Sequence, residues 1–275
     1  MNVNTSGRPS AQTSFSPREY WEDRLNGDFS LRGVGYSLLG SRYNKWQYAL
    51  RDRVLRRELA GLHLDLSNAD VLDVGSGTGF YIDYWLRTGV GSVSGCDLTE
   101  TSVSRLRIQF PDQKFYQLDI GADPPPEFSA RFDVISVFDV LFHIVDEVRF
   151  ERAFRNISQL LVPGGILCFS ELFLHHETER DLHVVFHSLS HIETVLAQSG
   201  FEIIVRRPAF VLMNEPRDTQ SELARFLWKL TMYPARKSEV LGWLWGAALY
   251  PVDLLLTRLL SESPTTEVMF CRKIR

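Results

Sequence analysis

Two periodicities divide the chain. Trp46, Ala49, Leu50, Val54, Leu55 and Leu59 recur at helical spacing, which predicts a helix with one face turned to a core. The whole stretch 17–66 reads as a helical, aromatic-rich cap. Gly33, Gly35 and Gly40 interrupt it around Tyr36, Leu38 and Leu39, which predicts a bent connection. From Asp70 onward, short apolar runs alternate with amphipathic ones. Residues 71–74 predict a strand, 80–88 a helix, 92–96 a strand, 101–109 a helix and 114–118 a third strand. Asp123 and the three prolines after it, Pro124, Pro125 and Pro126, predict a loop, since such a run can continue neither a ladder nor a helix. Residues 132–138 predict a fourth strand and 148–161 a helix with Phe150, Phe154, Ile157 and Leu161 on one face. After the turn Pro163-Gly164-Gly165, residues 166–171 predict a fifth strand.

Strands that alternate with helices require right-handed crossovers and a parallel sheet covered on both faces. The expected fold class is therefore α/β, doubly wound. Ligands of such sheets bind beyond the carboxyl ends of the strands. That rule gathers residues 75–79, Asp97, Asp119 and residues 138–143 around one crevice.

The motif with most chemical content is Val71-Leu72-Asp73-Val74-Gly75-Ser76-Gly77-Thr78-Gly79. Alternate glycines allow a tight turn and a close approach of backbone to ligand. The helix that follows offers free N–H groups and a positive dipole end, suited to a carboxylate or a phosphate. A dinucleotide-binding enzyme competes for such a loop, but its pattern is G-x-G-x-x-G and here it is G-x-G-x-G. Asp97 ends the second strand, where a carboxylate can accept both hydroxyls of a ribose; a helix N-cap is the plainer alternative. Asp119 ends the third strand, within reach of an adenine edge, or serves as a turn residue.

The order VLDVGSGTG, GCDL, QLDI, FDVISVFDVLFHI and LLVPGG, from Asp70 to Glu171, resembles the class I S-adenosylmethionine-dependent methyltransferases. The resemblance implies a mostly parallel, seven-stranded, Rossmann-like sheet, with residues 201–210 and 266–272 as its last two strands. It implies S-adenosylmethionine (SAM) as cofactor and S-adenosylhomocysteine as product. Gly75, Gly77 and Gly79 would line the methionine end, with Asp73 near its amine and Ser76 in the same loop. Asp97 would hold the ribose with Leu98 beside it, Asp119 the adenine amine with Ile120 beside the ring, and Phe138 would lie under the sulfonium.

Methyl transfer to a hydroxyl needs a base, and His143 is the candidate, since an imidazole titrates near neutral pH. Its place in Phe142-His143-Ile144 also resembles that of the base in small-molecule O-methyltransferases. A structural histidine is the alternative. Asp139 is expected to orient His143, contact substrate or cap a helix. A second histidine group, His175, His176, His183, His187 and His191, follows the fifth strand and is expected to line the acceptor side. Its four-residue spacing suggests a metal-binding helical face, but Ser190 with Glu193 reads as a capping box that interrupts the ladder, so no metal is assigned. The expected function is O-methylation of a sugar, polyol or natural product. An N- or C-methyltransferase and a non-catalytic SAM-binding partner subunit stay open.

A net charge of −4 offers no global basic field, which argues against nucleic acid as partner. Cys96, Cys168 and Cys271 lie in apolar runs and read as buried thiols of a reducing cytoplasm. The expected organisation is a disordered tail over 1–16, the helical cap over 17–66, and a SAM-binding domain over 67–275 with a helical insertion at 218–262. The apolar run 240–260 is long enough to span a membrane, but Pro251 should break a helix there and Asp253 would lie in hydrocarbon. The insertion is expected to form a lid or wall over the acceptor pocket. With Trp243, Trp245, Lys229, Arg236 and Lys237 it also suits shallow contact with a membrane or an amphiphilic substrate. A homodimer stays open.

Overall fold

The computed structural model describes residues 15–123 and 132–274. Residues 1–14 of the tail expected over 1–16, and the triple proline, lie outside the described residues; Ser16, at the end of that tail, caps α1. The cap consists of α1 (Pro17–Gly27), the short α2 (Leu31–Val34), a 3-10 turn (Ser37–Leu39) and α3 (Gly40–Gly61). Then follow β1 (Asp70–Val74), α4 (Phe80–Thr88), β2 (Ser92–Asp97), α5 (Glu100–Gln109), β3 (Lys114–Gln117), β4 (Phe132–Phe138), a 3-10 turn (Leu141–His143) and α6 (Glu147–Leu160). The chain continues through β5 (Leu161–Glu171), a small ribbon of β6 (Glu179–Arg180) and β7 (Val185–Phe186), α7 (Leu189–Gln198) and β8 (Phe201–Pro208). It ends with α8 (Glu222–Lys237), α9 (Glu239–Leu259) and β9 (Glu267–Lys273).

Seven strands form one sheet in the order β3-β2-β1-β4-β5-β9-β8. β1 to β5 are parallel, and β9 runs antiparallel between β5 and β8. The strand order reverses between β1 and β4, where a crevice must open at the carboxyl ends. The central strands are apolar on both faces because helices cover both: Leu50, Val54 and Trp85 belong to the core on one side, Phe150, Phe154 and Ile192 to that on the other. All three cysteines are buried and free.

Some boundaries differ from the sequence reading. β5 begins at Leu161, opposite a register irregularity between Phe132 and Val134, so the Pro-Gly-Gly turn is absorbed into an irregular strand start. The N-cap of α7 is Ser188, whose hydroxyl accepts from the His191 N–H at 3.3 Å, and not Ser190. α9 runs through Pro251 without a break. Pro removes one N–H and crowds one carbonyl; this helix, packed on α3, accommodates both.

Candidate active site

The crevice is a cavity of about 560 Å³ at the carboxyl ends of β1 to β4. Its first wall is the glycine loop. The N–H groups of Gly75 and Ser76 donate to the Cys96 carbonyl at 2.8 and 3.0 Å, and that of Gly77 donates to Asp97 Oδ2 at 2.9 Å. The loop is thereby fastened to the end of β2. Gly75 sits at φ +73°, and a Cβ there would fall 2.2 Å from Val140 Cγ2. No side chain caps the N-terminus of α4, which leaves its first N–H groups for a ligand.

Gly75, Ser76, Gly77, Asp97, Leu98, Asp119, Ile120, Phe138, Asp139 and His143 all line the cavity. Asp73 and Gly79 do not. Asp73 Oδ1 accepts from Ser136 Oγ at 2.7 Å, and Ser136 Oγ accepts from Trp85 Nε1 at 2.9 Å. Burial pushes the Asp73 carboxyl up to about 7. It faces the interior between β1 and β4, where Oδ2 has no hydrogen-bond partner among the described residues. Gly79 is the left-handed N-cap of α4, where a Cβ would fall 2.6 Å from the Phe110 ring, so it serves helix packing.

Asp97 anchors two loops at once. Besides Gly77, it accepts from the Thr99 N–H at 2.9 Å and the Thr99 hydroxyl at 2.7 Å. Burial raises its pKa against these hydrogen bonds. Asp119 accepts from the Gly121 N–H at 3.0 Å and pairs with Arg149, itself a lining residue. Asp119 thereby also fills its plainer turn role, whereas the N-cap of α5 is Thr99 and not Asp97. Loop, uncapped helix end, buried carboxylate and apolar floor fit SAM: an N–H cradle for its carboxylate, Asp97 for its ribose, and Leu98, Ile120 and Phe138 for its flat and apolar parts.

Asp139 has φ +59°, unusual for a residue with a Cβ. It is held there from three sides. Its N–H donates to Ser170 Oγ at 2.9 Å, Ser170 Oγ donates back to Oδ1 at 2.9 Å, and Oδ2 pairs with Arg51. Arg51 also donates to the Tyr81 hydroxyl at 3.1 Å. Asp139 thus does not orient His143 by a hydrogen bond. His143 is oriented by the His183 carbonyl, 3.0 Å from Nδ1. A carbonyl only accepts, so Nδ1 carries the proton and Nε2 keeps its lone pair. Trp21 packs edge-on against the imidazole at 4.8 Å, and burial lowers its pKa to about 4.

Part of the remaining wall comes from the cap, with Trp21, Leu25, Val34 and Tyr48, and from Phe15 just before it. The sequence reading missed Arg51 and Trp21. Arg51 had one usable signal, a charge between Leu50 and Val54 on a helix that faces a core. Among the described residues, no residue of 218–262 and none of the five later histidines lines the cavity. Neither the insertion nor these side chains therefore form the cavity wall, though His183 stands beside it, with its carbonyl on His143 Nδ1 and its ring stacked on that imidazole. His187 and His191 instead turn toward Glu147, at 3.4 and 2.6 Å, and Arg180 reaches the same carboxylate at 2.6 Å. Their ligand-type atoms lie within 4.8 Å of one another. The guanidinium already supplies a cation there, and the cluster ties α6 to the start of α7.

Residues 71–165 match a family model described as "Methyltransferase domain". Among curated proteins, the chain is 29% identical over 123 residues to a tRNA U34 carboxymethyltransferase of Ectopseudomonas mendocina, covering 44% of this chain and 37% of that one. It is 32% identical over 121 residues to a ubiquinone biosynthesis O-methyltransferase of Xanthomonas oryzae pv. oryzae, covering 43% and 49%. The match thus spans half or less of these relatives' length. Among solved structures, the N-methyltransferase NodS of Bradyrhizobium japonicum, in complex with S-adenosylhomocysteine, superimposes with a TM-score of 0.55 at 14% identity, covering 94% of this chain and 99% of that one. That likeness is one of fold. Residues 71–165 thus match a methyltransferase domain, and the strand order and the glycine loop agree with the fold of such domains.

Proposed function

We propose that this chain transfers the methyl group of SAM to a hydroxyl of a small molecule, with His143 as general base. The observation that carries this reading is the tautomer of His143: Nδ1–H is engaged by the His183 carbonyl, so the lone pair of Nε2 is free within the cavity wall. Bound in the cavity, SAM supplies an electrophilic methyl group on a sulfonium whose departure leaves a neutral thioether. The tasks left to the protein are alignment, exclusion of water and removal of the acceptor's proton. Asp97 and the glycine loop would hold the cofactor. Trp21, Tyr48, Tyr81 and Phe138 surround the remaining space with aromatic surface, which suits an acceptor with an apolar face. The Arg51–Asp139–Ser170 cluster keeps the start of the 3-10 turn, and with it His143, in place.

One curated relative is named as an O-methyltransferase and one structural neighbour as an N-methyltransferase, so the acceptor atom is a choice within the family. The lowered pKa of His143 favours a second reading, an amine acceptor that needs little help in losing its proton. One experiment separates the two. An acceptor screen with S-adenosylhomocysteine detection identifies the substrate, and His143→Ala is then compared with wild type. A hydroxyl acceptor should lose about 10²- to 10⁴-fold in kcat with cofactor affinity kept. A loss of only a few-fold would remove His143 as base and leave the amine reading.

A further inference from the structure

Helix α9 is built in reverse of an ordinary surface helix. Its buried residues are Gly242, Gly246, Asp253 and Thr257, small or polar. Gly246 seats the helix on α3: a Cβ there would lie 2.5 Å from Trp46 Cδ1. Asp253 accepts the N–H groups of Val211, Leu212 and Met213 at 2.8–3.0 Å. Trp245, Leu249 and Leu254 pack partly against the core, while Val240, Leu244, Leu255 and Leu259 stand in solvent. α8 buries Trp228, Met232 and Ala235 but exposes Leu223, Phe226, Leu230 and Tyr233.

Between residues 223 and 260, thirteen large apolar side chains are 40–68% exposed. Together they leave on the order of 1,000 Å² of apolar surface, against about 300–600 Å² for the largest patch of a typical monomer. Glycines inside and leucines outside make sense only with an apolar partner on the outside.

Charge selects the partner. Lys229 and Arg236, seven residues apart, run along one edge of the α8 strip, and Lys237 and Arg258 add to it. Among the described residues none of these four has an ion-pair partner. The carboxylates of the two helices are all in use. Asp253 holds the loop above, Glu239 accepts from the N–H groups of Ser41 and Arg42 at 2.9 and 2.8 Å, and Glu222 pairs with Arg225. The outward face is thus apolar with an unneutralised basic fringe and aromatic residues, Tyr233 and Trp243, of the kind that settle at a bilayer interface.

We propose that α8 and α9 form a docking surface for an anionic lipid bilayer and lie in its interface. α9 is long and apolar enough to cross a membrane by length and composition. Crossing would strip it from α3 and carry Asp253 into hydrocarbon. A second copy fits less well, because a two-fold contact would bring the same cations together with no spare carboxylate to meet them. This docking surface does not rest on the identity of the methyl acceptor.

The test uses the full chain and flotation with phosphatidylcholine vesicles, with and without phosphatidylserine. Binding to the anionic vesicles that weakens as salt rises is expected. Leu244→Glu/Leu255→Glu should lower vesicle affinity about ten-fold or more, and Lys229→Gln/Arg236→Gln about 25-fold at low salt, from roughly five-fold per cation. Circular dichroism and light scattering on each variant establish that it is folded and report its oligomeric state. Three outcomes would overturn the proposal: no flotation at low salt, equal binding to neutral vesicles without a salt effect, or binding that both folded variants leave unchanged. A wild-type dimer that Leu244→Glu/Leu255→Glu dissociates, with no vesicle binding, would assign the face to a second copy and overturn it as well.

Discussion

The cleft and the α8–α9 pair obey opposite rules. Around the cleft, large apolar side chains point inward and the lining carboxylates have internal partners: Asp97 receives three hydrogen bonds, and Asp139 is held by Arg51 and Ser170. In the helical pair, α9 turns Gly242, Gly246 and Asp253 inward, and both helices leave large apolar side chains such as Phe226, Leu230, Trp243 and Leu255 outward. A cleft whose lining carboxylates are held by fixed donors is preorganised for a small ligand. A helix pair whose apolar face is left over serves something much larger than a small ligand.

The sharpest contrast is between two glycines. Gly75→Val adds a Cβ 2.2 Å from Val140 at a left-handed φ, whereas Gly246→Val adds one 2.5 Å from Trp46 within a helix. The first change should cost about 2–4 kcal/mol of stability and reduce S-adenosylhomocysteine affinity at least about 100-fold. The second should cost about 1–3 kcal/mol and leave that affinity within a factor of about two. Thermal melts and calorimetry measure both. If the two variants lost affinity equally, the regions would not be separable.

The cleft could be read from the sequence because its signals are local. A glycine loop after a strand, aspartates at strand ends and a histidine after Phe142 follow from short patterns. Asp73 shows where locality fails. It stands in the motif, but β4 supplies Ser136 at 2.7 Å and turns the carboxyl inward, a partner 63 residues away. Arg51 went unseen for the same reason, since its meaning depends on Asp139, 88 residues on. The later histidines misled because their four-residue spacing assumed one helix, while a ribbon, a turn and an N-cap at Ser188 divide them. The insertion's two helices were legible from apolar spacing, but periodicity does not say which face is covered. The buried Gly-Gly-Asp-Thr face becomes visible only once α3 is in place.

Another effect concerns pH. Burial raises the Asp73 carboxyl from 3.8 to about 7, so the folded state keeps a proton that the unfolded chain releases. Its contribution to stability is full below the unfolded value and is lost as pH rises toward about 7. Asp73→Asn keeps an acceptor for Ser136 without that titration. The stability difference between variant and wild type should therefore grow, in the variant's favour, by up to about 4 kcal/mol from about pH 4 to pH 8. Urea unfolding at several pH values measures it. Parallel curves would mean that the carboxyl is ionised without penalty.

The cleft stands or falls on Asp97, which carries the glycine loop and faces the cavity. Isothermal titration of S-adenosylhomocysteine into wild type and Asp97→Ala is the most direct test, with His143→Ala as the control outside the cofactor cradle. Loss of paired charge-assisted hydrogen bonds should weaken Asp97→Ala by one to three orders of magnitude, roughly 2–4 kcal/mol. His143→Ala should bind nearly as tightly as wild type. Unchanged affinity in a folded Asp97→Ala would contradict the assignment of this cleft to SAM.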